Sequence, residues 1–260
     1  MNFNEIYLNK DEKPLDRLVD GYSFTSVFRR IAFVGDSLSS GEFETRDENM
    51  KPGYHDLFEY SWGQYIARKN GLTAFNFSRG GMTAKEYIES FAEEKGFWDK
   101  EKACQAYVIA LGVNDIYNHN MELGSIEDIN KDDWRQNKKT FVGYYAAIIS
   151  RYKEISPEAK FFFVTFPKEE RRTNTESTVN TIKALYELAE FFDNAYVIDL
   201  YKYGPVYDDD FVSNYFLYGH MNAAGYIITA QLIDSYIDFI VRKNPKDFNN
   251  VPFIGTNIKY

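Results

Sequence analysis

Cysteine occurs once in the 260 residues, as Cys104, so no internal disulfide can brace this chain. A lone cysteine just ahead of an apolar run reads as small buried filler. Histidine is almost as scarce, with His55, His119 and His220 alone available for imidazole chemistry. An excess of basic charge is lacking too: 30 Lys and Arg stand against 39 Asp and Glu, a net charge of -9. That balance argues against a nucleic-acid partner, which needs clustered cations to displace counterions. Arg171-Arg172 and Arg242-Lys243 are the tight basic pairs of the second half, and both read as solvated faces. No run approaches the roughly 18 uninterrupted apolar residues of a membrane span. The first twenty residues carry Glu5, Asp11, Glu12 and Asp16 without an apolar stretch of signal length, so a cytoplasmic protein is expected. Repeats and low-complexity segments are absent as well.

What is present is enough for a packed globule. Hydrophobic residues make up 44% and charged residues of both signs 27%, a composition that buries a core and solvates a surface. The 21 Tyr and 22 Phe exceed what a core of this size needs, so some reach the surface. They read as amphipathic edge residues, or as stacking platforms for sugar rings or a subunit interface.

Five short apolar runs, at 30–35, 73–77, 106–111, 160–165 and 195–200, read as buried strands. Helical spacing fills the intervals at 60–69, 83–94, 134–153 and 175–192, and a last such segment covers 222–242. Thr83 with Glu86 has the capping-box pattern, Asn174-Thr-Glu-Ser supplies cap residues for the fourth segment, and Ser156-Pro157 closes the third. Such alternation predicts a parallel sheet covered by helices on both faces, with functional residues at the carboxyl ends of the strands. One α/β domain is expected, with its core over 30–243 and straps at 1–29 and 244–260.

Four elements carry chemistry. Gly35-Asp-Ser-Leu38 follows the first strand and puts the Ser37 hydroxyl where the next backbone N–H groups can face a developing anion. Asn76-Phe-Ser-Arg-Gly-Gly-Met-Thr83 follows the second, with glycines that let the backbone approach a ligand. Leu111-Gly-Val-Asn-Asp115 follows the third and offers an amide donor in Asn114, although Asn-Asp there also suits a plain turn. His220 opens the last helical segment, where an imidazole can act as general base. His55 and His119 stand in polar loop contexts and read as surface or rim residues.

In this order the four elements resemble the SGNH hydrolase family, the GDSL esterases, over about 30–242, and Ser61-Trp-Gly-Gln64 resembles the family's segment after the nucleophile. The resemblance implies a three-layer α/β/α fold with a central, about five-stranded parallel sheet of flavodoxin-like type. It implies Ser37 as nucleophile, His220 as base, and an oxyanion hole made by the backbone N–H groups of Ser37 and Gly81 and the side chain of Asn114. No metal or organic cofactor is called for. The family's acid three residues before the histidine is missing, for that position is Leu217. Its replacement is expected to be a main-chain carbonyl at Leu217, ahead of a carboxylate from Asp208, Asp209 or Asp210.

The function expected is hydrolysis of a small carboxylic ester through an acyl-enzyme on Ser37, with acetyl esters of carbohydrates first. An acyltransferase using the same acyl-enzyme and a non-catalytic carbohydrate- or ligand-binding module on the same scaffold are the alternatives. A metal phosphoesterase built on Asp36, Asp115 and His119 is a weaker one. The partner expected is a small-molecule ester, with no nucleic acid and no membrane; the oligomeric state stays open.

Overall fold

The computed structural model describes residues 9–170 and 175–259. Glu5, Asn174 and the Arg171-Arg172 pair lie outside these residues. The elements that organise the site are β1 (Arg30–Gly35), α1 (Ser37–Ser40), β2 (Glu42–Arg46), β3 (Pro52–Asp56), α2 (Trp62–Asn70), β4 (Thr73–Ser78) and β5 (Ala106–Ala110). They continue with α3 (Phe141–Ile155), β6 (Lys160–Val164), β7 (Lys168–Glu169), α4 (Glu176–Phe191), β8 (Ala195–Ile198) and β9 (Val206–Tyr207). Last come β10 (Phe216–Leu217), β11 (His220–Met221) and α5 (Ala223–Lys243).

The five expected strands form one parallel sheet in the order β4-β1-β5-β6-β8. Because side chains alternate across a strand, each strand feeds two cores. Ala32, Val34, Tyr107, Ile109, Phe161 and Phe163 meet α3 and α4 on one face, whereas Ile31, Phe33, Val108 and Phe162 meet α2 and α5 on the other. This is the three-layer arrangement expected from the alternation of apolar runs and helical spacing. Burying a ring such as Phe33 completely stabilises the fold by about 2–3 kcal/mol. Trp62 meets Phe33 edge-on at 4.9 Å between centroids, so the head of α2 is fixed beneath β1.

Caps decide where the helices begin. Ser61 accepts from the Gln64 N–H, Thr140 from Gly143, Thr175 from Thr178 and Asn222 from Gly225. Only half of the expected capping box forms at Thr83, which accepts from the Glu86 N–H, while the Glu86 carboxylate turns to Arg79 at 2.6 Å. The third helical segment is shorter than expected. Trp134–Gln136 is a 3-10 turn and the helix starts after Thr140, because the polar Asn137-Lys-Lys-Thr140 stretch gives the sheet no apolar face. The longest helix, α5, is long and apolar enough to cross a membrane, but most of its residues are buried against the sheet. Cys104 is a buried free thiol whose pKa burial pushes up to about 12, as suits inert filler.

An antiparallel hairpin of β2 and β3 follows α1 directly and pairs Glu42 with Asp56 and Arg46 with Pro52. It was not expected from the sequence, and it overhangs the carboxyl edge of the sheet beside β11.

Candidate active site

Ser37 opens α1 at the carboxyl end of β1, and Asp36 caps that helical turn by accepting from the Leu38 N–H at 3.2 Å. Asp36 is fully enclosed. Burial raises its pKa to about 7, the cap hydrogen bond opposes the rise, and the nearby Asp115 charge adds to it.

The second element comes in from β4, the neighbour of β1. Ser78 donates to the Phe33 carbonyl at 2.7 Å, and the Arg79 N–H reaches the Gly35 carbonyl, which draws the 79–83 turn against the Ser37 loop. Gly81 sits at φ +73°, a left-handed conformation that glycine adopts without penalty. The third element comes from β5, on the other side of β1. Asn114 is buried at the start of a π-helical turn over Asn114–Asn118. Its Oδ1 accepts from Asn118 at 2.6 Å and its Nδ2 donates to the Met82 carbonyl at 3.1 Å. The amide is therefore locked in one orientation. Asp115 ties the same two elements together, accepting the Ala84 N–H at 2.9 Å, and burial pushes its pKa to about 6.

His220 lies in the two-residue ladder β10–β11, and Tyr54 on β3 meets its ring edge-on at 5.8 Å. Neither group expected to orient it does so. Leu217 is the register partner of His220 itself, so its main chain serves the ladder. Asp208 caps the short helix Asp209–Tyr215 by accepting from the Phe211 N–H, and Asp208, Asp209 and Asp210 are all exposed at its start. Both ring nitrogens instead face carboxylates from β2: Nδ1 is 3.3 Å from Glu44 Oε2 and Nε2 is 2.9 Å from Glu42 Oε1. The correction has a simple geometric cause. The hairpin sets Glu42 and Glu44 on one side of a strand that lies against β11, nearer to the ring than anything its own loop offers. Burial alone would lower the pKa of His220, but the hydrogen bonds and charges of Glu42 and Glu44 outweigh it and the net shift is upward.

Glu44 is nearly buried and multiply held. It accepts the Gly219 N–H at 2.7 Å and pairs with Arg46, whose guanidinium also covers the ring of Tyr218 at 4.3 Å. Burial works to raise its pKa, and the Gly219, Arg46 and His220 contacts together bring it below the ordinary carboxylate value. Tyr226 on α5 donates to the Glu42 carbonyl at 2.6 Å and so pins the hairpin to the last helix.

His55 and His119 are exposed, the former against Thr45 at 3.0 Å. Asp36, Asp115 and His119 do not converge, and among the described residues no three His, Cys, Asp or Glu side chains group as metal ligands would. The residues that sequence reasoning missed are Glu42 and Glu44. The signal was the short alternation Glu42-Phe-Glu44, period two, directly after the Gly-Asp-Ser-Leu turn.

A sheet of this topology carrying a Gly-Asp-Ser-Leu turn at the end of β1 defines an α/β hydrolase of the GDSL type. The chain belongs to the GDSL-like lipase/acylhydrolase family, whose family model matches residues 33–228, and it stands among ester-hydrolysing enzymes. Solved structures of the same fold include a family two carbohydrate esterase from Clostridium thermocellum in complex with cellohexaose. It is 17% identical with a TM-score of 0.56, over 91% of this chain and 66% of that one. A family 3 carbohydrate esterase from Clostridium thermocellum is 13% identical with a TM-score of 0.52, over 83% of this chain and 98% of its own. A putative lipolytic protein of the G-D-S-L family from Desulfitobacterium hafniense is 13% identical with a TM-score of 0.51, over 80% and 98% respectively. Comparison with curated proteins finds no match.

Proposed function

We propose that this chain is a serine esterase that hydrolyses a small carboxylic ester, with acetyl esters of carbohydrates the first candidate, through an acyl-enzyme on Ser37. The observation that carries the reading is the locked amide of Asn114. Asn118 fixes its oxygen and Met82 takes one of its hydrogens, so its second N–H is a pre-set donor beside the Gly81 turn. Donors fixed before the reaction act on the oxyanion without reorganising. His220 takes the Ser37 proton, Ser37 Oγ bonds to the ester carbon, and the carbonyl electron pair moves onto the oxygen held by Ser37 N–H, Gly81 N–H and Asn114. Collapse expels the alcohol, which receives the proton back from His220, and water then releases the acid by the same steps. Likeness in fold to carbohydrate esterases supports a sugar as the alcohol.

Incubation with a fluorophosphonate followed by peptide mass mapping tests the reading. One adduct on Ser37 is expected, together with loss of ester hydrolysis by several orders of magnitude in Ser37→Ala. An unlabelled Ser37, or a Ser37→Ala enzyme that still turns over acetyl esters at the wild-type rate, would sink it. Acetylated oligosaccharides and aryl esters of increasing acyl length define the substrate, and free sugars added as acceptors separate hydrolysis from transfer.

A further inference from the structure

The ring of His220 lies between two carboxylates that leave one strand two residues apart, yet the two are not held alike. Glu44 has three donors around it: the Gly219 N–H, Arg46 and Nδ1 of the ring. Glu42 pairs with Nε2 alone among the described residues, and a Cβ on Gly80 would lie 2.0 Å from its Oε2. Its carboxylate therefore spans the histidine and the Gly80-Gly81 turn, across the space that an ester must enter to reach the Gly81 N–H.

We propose that Glu44 is the acid of a serine–histidine–glutamate relay, and that Glu42 is a stopper on Nε2 which the substrate displaces before turnover. The proposal rests on the reading of Ser37 as nucleophile and His220 as base. An imidazole with both nitrogens on carboxylates must carry two N–H bonds, and an imidazolium has no lone pair to offer a serine. Glu42 at Nε2 thus marks a resting form. When the ester enters, Glu42 swings away, the Nε2 proton passes to water, and Nδ1–H stays on Glu44. That leaves the lone pair on Nε2. The Ser37 Oγ–H proton then moves to Nε2 as the Oγ–C bond forms. Glu44 keeps its charge, takes no proton and steadies the imidazolium. The asymmetry in fixation decides the roles, because Gly219 and Arg46 hold the Glu44 carboxylate against Nδ1, whereas Glu42 gives up one contact when it leaves. Other titratable groups face the ring or its two partners: Asp36, Asp56 across the ladder from Glu42, Arg46, Tyr54 and Tyr226. None of them lies on a ring nitrogen.

Displacement predicts an offset between two acid limbs. The limb of kcat/KM reports the free enzyme, with both carboxylates on His220, and the limb of kcat reports the complex, with only Glu44 there. The first should lie at higher pH than the second. In Glu42→Gln the two limbs should converge at the lower value, so that kcat/KM below pH 6.5 rises several-fold. Ring-proton NMR reads the same event: the His220 pKa should fall in Glu42→Gln. It should fall also in Gly80→Ala, whose methyl pushes the Glu42 carboxylate aside while keeping its charge. Glu44→Gln should lower kcat about a thousandfold or more and abolish the low-field Nδ1–H resonance. Glu44→Asp keeps the charge and covers the case in which the glutamine variant does not fold; it should retain that resonance with kcat reduced roughly tenfold. Coincident limbs in the wild type, or a His220 pKa unmoved by Glu42→Gln, would overturn the stopper. A Glu42→Gln loss as deep as that of Glu44→Gln would overturn the division of roles. Failure of the underlying reading looks different, since Ser37 would then escape the fluorophosphonate altogether in the wild type.

Discussion

Asn114 owes its aim to two neighbours, and that makes its contribution kinetic. On the proposed mechanism, replacing it with Ala removes a donor to the oxyanion but leaves ground-state contacts in place, so kcat should fall about a hundredfold or more with KM little changed. A change confined to KM in steady-state assays would make Asn114 a substrate contact instead. Asp36 carries the opposite kind of consequence. Its folded pKa of about 7 lies above the unfolded 3.8, so the native chain binds more protons than the unfolded one between those values. Stability attributable to this group is full below pH 3.8 and is lost as pH rises through 7. Asp36→Asn keeps the cap and cannot ionise. Its stability relative to wild type should increase from pH 4 to pH 8 in urea unfolding, and a constant difference would refute the assignment. Ser37, Gly81, Asn114 and His220 could be singled out in the sequence because each stands at a strand end or helix start with a short motif around it. Glu42 and Glu44 carried only a hint of a strand: their relation to His220 spans 176 residues in the case of Glu44, and it depends on a fold rather than on spacing.

At the scale of elements, the hairpin β2–β3 is the feature that escaped sequence reasoning. Its strands are short and polar, its loop Asp47–Lys51 and the Pro52-Gly53 start read as turn residues, and β3 is mostly exposed, so no apolar run announces it. The sheet strands were legible for the contrary reason, being buried on both faces and apolar after Arg30 and Lys160 at their starts. What holds the hairpin in register with the site is the buried Tyr226 hydroxyl on the Glu42 carbonyl. Tyr226→Phe leaves that carbonyl without its partner and should cost about 1–2 kcal/mol in urea unfolding. It should also lower kcat several-fold, because both glutamates ride on the strand it pins. A variant as stable and as active as wild type would show that the hairpin is anchored elsewhere.

Across the whole molecule, the N-terminal segment is joined to the rest of the chain by charge as well as by packing. Arg242 near the end of α5 reaches Glu12 at 2.7 Å and Asp238 at 2.7 Å, and Ser23 shares Asp234 and Asn70 in a buried network. The sequence suggested straps over a core but not these partners, which lie more than two hundred residues apart along the chain in the case of Glu12 and Arg242. The site has a similar division along the chain. Ser37 and Glu44 are seven positions apart in one turn and strand, a local pairing, whereas His220 meets Glu44 across 176 residues. His220 arrives with the last helix. A chain folded only through its first half would hold Ser37 with no imidazole beside it. On the proposed mechanism, esterase activity is expected only in chains whose α5 packs on Ile66 and Phe28 and so sets the imidazole between its two glutamates. Closing so long a loop carries an entropic cost, and on refolding the return of catalysis should report that the chain has closed.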